Sequence, residues 1–149
     1  MNKILIPIDG SEYSLRAVKF AAEFTAFNPE VKVVIFTVDR LPQQFMVRDL
    51  YWVSSDIGES VRHIQEVFAE VRETNFKKAA TYFNEKGLNV QCDYTFGNPA
   101  EEITHYAGKN GVDMIIMGTR GMSSLKEVFL GSVSHKVLQL STCPVLLVK

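Results

Sequence analysis

A chain of 149 residues, 46% hydrophobic and 22% charged, has the size and composition of one globular domain; a disordered chain and a comfortable two-domain split are both excluded. A formal net charge of −1 leaves no electrostatic footprint for nucleic acid or an anionic membrane, so neither is expected as a partner. A small anion held locally is still compatible with that charge.

The first apolar run, Lys3–Ile8 (KILIPI), is short and contains Pro7, so it reads as a strand and not as a signal peptide or a membrane span. The expected compartment is the cytoplasm. After Asp9-Gly10-Ser11, the stretch Ser14–Phe27 has helical spacing, with Leu15, Val18, Ala22 and Ala26 on one stripe, Ser11 as N-cap and Asn28-Pro29 as stop. A second β-rich run follows at Val31–Val38 (VKVVIFTV).

From Asp39 to Gly58 no clear period appears, yet the segment carries Phe45, Met46, Leu50, Tyr51, Trp52, Val53 and Ile57. So long a connection is usually functional or misassigned, and this one is too apolar to be freely solvated. A short helix over the sheet edge, a subunit contact and a flap over a ligand all fit. Glu59–Lys86 then reads as a long helix, with Val61, Ile64, Val67, Phe68, Val71, Phe76, Ala79, Ala80 and Phe83 inward and Gly87 as its C′ residue.

The remaining elements are a strand at Leu88–Thr95 (LNVQCDYT), a helix at Ala100–Lys109, a strand at Asp113–Met117 (DMIIM), a helix at Val133–Leu140 and a strand at Pro144–Val148 (PVLLV). Cys92 and Cys143 lie in separate apolar runs without CxxC spacing, so both are expected as buried reduced thiols.

Alternating strands and helices imply right-handed crossovers, hence an α/β, doubly wound, five-stranded parallel sheet with helices on both faces. Ligands of such sheets bind beyond the carboxyl ends of the strands, where the strand order reverses. In order 3-2-1-4-5 that point lies between strands one and four, which sets Asp9-Gly10-Ser11 opposite Gly118-Thr119-Arg120-Gly121. Nine residues later (Met122 to Leu130) the chain returns at Gly131-Ser132-Val133-Ser134 and enters the last helix. Glycines admit close backbone approach, and a helix N-terminus presents unpaired N–H groups and a partial positive charge. A phosphate can sit there, with the Ser132 and Ser134 hydroxyls as further donors and Arg120 as either the full positive charge or a solvated loop residue. Asp9 suits a ribose, a base or a cation, or else caps the first turn of helix one. Pro7 and Val38 would line an apolar slot for a flat base, and Met117 either closes it or is core.

These residues resemble a known family over essentially the whole chain. KILIPIDGSEYSLRAVKFA, the Gly97-Asn98-Pro99 turn, MIIMGTRG, GSVSHKVL and TCPVLLVK together look like a universal stress protein. The family's nucleotide-binding branch carries G-x-x-G-x9-G-[S/T], which Gly118, Gly121, Gly131 and Ser132 meet in full. The resemblance implies a Rossmann-like sheet of the adenine nucleotide alpha hydrolase type and ATP as ligand, with Mg2+ held mainly by the phosphates. It assigns Pro7, Asp9 and Val38 to the nucleoside end, and Gly118, Arg120, Gly121, Gly131, Ser132, Val133 and Ser134 to the ribose and phosphate end. It also implies a homodimer through the final strand, Val145–Val148; an apolar edge left unpaired would be an aggregation liability.

Turnover has less support. The loop lacks the lysine of G-x-x-x-x-G-K-[S/T], and Lys126 has nothing to fix it over phosphates. No acid pair, metal-ligand spacing or nucleophile elbow stands out. His63 and His105 read as surface or half-buried helix residues, and His135 lies close to the expected phosphate. Nucleotide binding as a regulatory state signal is the expectation. The alternatives are a slow ATPase or a phosphotransferase autophosphorylating at Ser132 or Ser134, and a dimeric scaffold in which the 39–58 segment recruits a partner. A flavodoxin-like flavin carrier is disfavoured, because Glu12 brings acid to the loop after strand one.

Overall fold

The computed structural model describes residues 1–40, 55–121 and 130–149, with the backbone alone for 55–61. Its elements run β1 (Lys3–Pro7), α1 (Glu12–Ala26), β2 (Lys32–Asp39), α2 (Ser55–Asn84), β3 (Gln91–Phe96), α3 (Pro99–Lys109), β4 (Met114–Gly118), α4 (Ser132–Leu140) and β5 (Val145–Val148). The strands pair in parallel in the order β3-β2-β1-β4-β5, as the alternation of runs requires.

Side chains alternate across a strand, and here they divide the core into two layers. Ile4, Ile6 and Ile8 of β1 and its extension, Val33 and Ile35 of β2, and Ile116 of β4 pack with α1 and α2. Leu5, Val34, Phe36, Ile115 and Met117 pack on the other face with α3 and α4. Covered on both sides, the central strands have no polar face to present, which is why their sequences lack alternation.

Helix α1 begins where its N-cap says it should: the Ser11 Oγ accepts the Ser14 N–H at 3.2 Å. Its buried stripe is Ser14, Ala17, Val18, Ala21, Ala22 and Thr25. The expected Leu15 is only half-buried and Ala26 is exposed, because the stripe lies one residue earlier along the helix than the large apolar residues suggest. Small side chains on this stripe let the helix lie close on β4, where a Cβ at Gly118 would stand 2.7 Å from the Tyr13 carbonyl carbon and oxygen.

Helix α2 starts earlier than expected, at Ser55, so residues 55–58 are helical and Asp39 is the end of β2. The rest of the 39–58 segment, from 41 to 54, lies outside the described residues, as does Lys126 in 122–129. Among the described side chains of α2, Phe76, Ala79 and Phe83 are buried and Ile64, Phe68 and Ala80 half-buried, while Val67 and Val71 are 48% and 56% exposed; the side chain of Val61 lies outside the described residues. The helix is longer than the sheet it covers. A helix of 30 residues spans about 45 Å, well beyond the height of a sheet whose longest strand has 8 residues. The helix ends as its glycine predicts, with Gly87 at φ +70° and the Leu88 N–H donating to the Phe83 carbonyl at 3.0 Å.

Both cysteines are free thiols, as expected, but neither is buried. Cys92 is exposed, and Cys143 is half-buried beside Ser141. Cys92 lies on the edge strand β3, and Cys143 lies two residues before the other edge strand, β5, where a neighbouring strand covers one side only. Two polar contacts brace the layers from outside. The Tyr106 hydroxyl donates to Asp93 Oδ2 at 2.9 Å with its ring 4.3 Å from that of Phe36, and burial, then the Asp93 carboxylate, push the phenol up to about 12. At the amino ends of the strands, Asp113 Oδ2 accepts the Asn2 and Lys3 N–H groups at 2.6 and 2.9 Å, which holds its carboxyl below the ordinary value.

Candidate nucleotide crevice

The pairing of β1 with β4 sets the turn after Pro7 against the turn after Gly118 at the carboxyl end of the sheet. Gly10 makes the first turn at φ +81°, a conformation that L side chains rarely adopt. Within it, Asp9 Oδ1 accepts the Ser11 N–H at 3.0 Å. Its other oxygen, Oδ2, lies where a Cβ on Gly121 would be, so glycine at 121 is what lets the two turns meet.

The second turn closes through one carbonyl. The Thr119 C=O accepts the Gly131 N–H at 2.7 Å and lies 2.9 Å from the Ser134 Oγ, which is equally close to the Gly131 C=O. Since the Thr119 N–H donates to the Val148 carbonyl, the knot is tied to β5 as well. It brings the two ends of the nine-residue excursion together whatever the path between them. A Cβ on Gly131 would sit 3.3 Å from Arg120 Cα and from the Thr119 oxygen, so this approach too is close.

That closure delivers the N-terminus of α4. Gly131 is its N-cap and has no side chain to satisfy the first turn. The amides of Ser132, Val133 and Ser134 precede the first intrahelical donor, His135, whose N–H reaches the Gly131 carbonyl at 2.9 Å. Three first-turn N–H groups with the positive end of a helix dipole are the makings of an anion seat. The two serines contribute differently from the sequence expectation. Ser134 is 2% exposed and its hydroxyl is turned into the Thr119–Gly131 knot, leaving its amide as its donor, while Ser132 is exposed. The side chain of His135, in the same first turn, is exposed.

The apolar residues assigned to a base share one side of the sheet. Val38, Met117 and Val133 all belong to or pack on the α3/α4 layer, and Pro7, two residues after Leu5 on the same strand, has the same parity. Val38 is half-buried and Met117 buried. The β1–β2 ladder reaches Phe36, whose carbonyl accepts the Ile8 N–H at 2.8 Å. Alternation along β2 directs the Val38 main-chain N–H and C=O to that same side, over the end of β1 and beside the Asp9 turn.

Arg120 takes a position that its sequence did not reveal. Its guanidinium stands 5.6 Å from the centre of the Tyr13 ring, with Nη1 3.4 Å from the phenol oxygen, and Arg16 flanks the same ring at 5.4 Å while pairing with Glu12. Tyr13 therefore joins the site as the platform for Arg120. Helix α2 adds two more polar residues one turn apart. Asn75 lies against Gly10, 2.8 Å from where its Cβ would be, and Arg72 pairs with Asp39 at the end of β2. Among the described residues no group of three or more His, Cys, Asp or Glu side chains is placed to hold a metal, and no helix is long and apolar enough to cross a membrane.

Comparison with known proteins agrees with this layout. A model of the universal stress protein family matches residues 1–149. Universal stress protein YxiE of Bacillus subtilis is 39% identical over 151 residues, which cover 99% of each chain. The solved structure of MJ0577, a universal stress protein of Methanocaldococcus jannaschii, has a TM-score of 0.83 at 30% identity, with 99% of this chain and 95% of that one covered. A universal stress protein from Archaeoglobus fulgidus, solved in complex with dAMP, has a TM-score of 0.63 at 20% identity and covers 100% of this chain and 98% of its own.

Proposed function

The chain belongs to the universal stress protein family, and we propose that it is a single-domain member of the nucleotide-binding branch whose crevice holds ATP as a regulatory signal. The observation that carries this reading is the Thr119 knot, which presents the bare N-terminus of α4 across the crevice from Asp9. The dAMP complex of the Archaeoglobus fulgidus relative lends adenine as the base.

In this reading Pro7, Val38 and Met117 form the slot for the base, with the Val38 main chain reading its edge. Asp9 accepts from the ribose. Gly118 and Gly121 keep the turns close, and Gly131, Ser132, Val133 and Ser134 seat the phosphates on main-chain amides, with Arg120 swinging from Tyr13 to add charge. Magnesium, where it accompanies ATP, is held mainly by the phosphates. Binding one nucleotide state better than another stabilises one conformation, which is all a state signal requires. The protein acts in the cytoplasm as a homodimer through Val145–Val148, whose four half-buried apolar residues form an edge strand.

Titration calorimetry tests the site. ATP is expected to bind at least about tenfold more tightly than GTP, a difference of one hydrogen-bonded base edge. Equal affinities would remove the base slot from the account, and no binding of either would remove the site.

A further inference from the structure

The ion pair at the end of β2 borders the crevice without a role in holding the ligand so far. Arg72 and Asp39 are both more than nine-tenths buried, their side chains 8% and 6% exposed. One guanidinium nitrogen, Nη1, bonds Asp39 Oδ2, and the guanidinium carbon Cζ lies 3.5 Å from the centre of the Tyr94 ring on β3. Yet among the described residues Arg72 Nε has no hydrogen-bond partner. A buried donor without an acceptor is costly, and the guanidinium is therefore placed by Asp39 and Tyr94 rather than by the best satisfaction of its own N–H groups.

What this placement controls is the residue before Asp39. The Asp39 carbonyl accepts the Gly97 N–H at 3.1 Å on the β3 side, while its carboxylate is held by α2 on the face of the sheet. Asp39 is thus pinned in two directions, and the peptide joining it to Val38 is pinned with it. We propose that Arg72 is a positioning residue for base recognition: clamped between Asp39 and Tyr94, it holds the Val38 main chain at the height where it reads the edge of the base. The inference rests on the nucleotide reading of the crevice and extends it to a residue on α2 that need not touch the ligand.

The test pairs Arg72→Met with Asp39→Asn, so that no charge is left buried alone, and compares ATP with GTP by calorimetry beside a thermal melt. In the folded double variant ATP affinity is expected to fall about tenfold while GTP affinity moves less than about twofold, since the phosphates dominate the latter. Arg72→Lys, which keeps the charge and removes the guanidinium from over the Tyr94 ring, is expected to fall between. Unchanged ATP affinity, or equal loss of ATP and GTP, would overturn the positioning role. Should the double variant not fold, Tyr94→Leu leaves the ion pair in place and removes the platform; a lowered ATP-to-GTP ratio supports the proposal and an unchanged ratio overturns it. Failure of the wild-type protein to bind ATP is a different result and counts against the crevice itself.

Discussion

Arg72→Ala alone is expected to destabilise the protein by about 3–5 kcal/mol, the usual consequence of leaving one member of a buried ion pair uncompensated. For a chain of this size the melting temperature would fall by roughly 6–20 °C. The cost arises because Asp39 stays behind: burial already pushes its carboxyl up from the ordinary 3.8, and Arg72 is what pulls it back. Folded Asp39 thus binds its proton more tightly than the unfolded chain does, so its contribution to stability decreases as pH rises from the unfolded carboxyl value through the folded one. Removing Arg72 raises the folded value further and widens that window. The loss measured by urea unfolding should accordingly be largest near neutral pH and shrink as pH falls. The Asp39→Asn, Arg72→Met double variant should recover most of the loss at pH 7, and a double variant as unstable as Arg72→Ala would show that the pair's geometry, not the orphaned charge, carries the energy.

Gly118→Ala and Gly121→Ala are expected to fail in opposite ways, although the same motif contains both glycines. A Cβ at Gly118 meets the backbone of Tyr13 at 2.7 Å, and neither β4 nor α1 can yield without shifting. Overpacking of that kind costs about 1–3 kcal/mol, and the variant should melt several degrees lower. Among the described residues, a Cβ at Gly121 meets only the carboxylate of Asp9 on an exposed turn. Stability there should change by less than about 0.5 kcal/mol, while displacement of Asp9 weakens ATP by at least about tenfold. Melting curves and ATP titrations of the two variants separate the roles. A Gly118→Ala protein that melts like the wild type and has lost ATP would return this glycine to the ligand; a Gly121→Ala protein with full affinity would release Asp9 from the site.

The order of the sheet was legible because each central strand is apolar on both faces and each helix carries its own start or stop, Ser11 for α1 and Gly87 for α2. The site was legible in outline for a related reason: glycines at a turn after β4, a serine-rich helix start and an acid after β1 can meet only at the switch point. What the residues concealed was which glycine serves packing, since that depends on how closely α1 lies on β4. Nor could spacing show that the Ser134 hydroxyl turns inward to the Thr119 carbonyl. The buried pair did leave a trace. Arg72 sits four residues from Phe68 and from Phe76 on the inward stripe of α2, and Asp39 continues the parity of Val33 and Ile35 in β2. Charges of opposite sign at core-facing positions of two neighbouring elements are the signal for such a pair, and it was obscured by reading Asp39 as the beginning of a loop.

The crevice between Asp9 and the N-terminus of α4 is proposed to hold ATP. Its most direct test is to purify the protein under native conditions, denature it, and identify the released small molecule by mass spectrometry. An adenine nucleotide, released from the wild type and absent from Gly121→Ala, is the result predicted. A flavin, or an adenine nucleotide retained at full occupancy by Gly121→Ala, would contradict the claim.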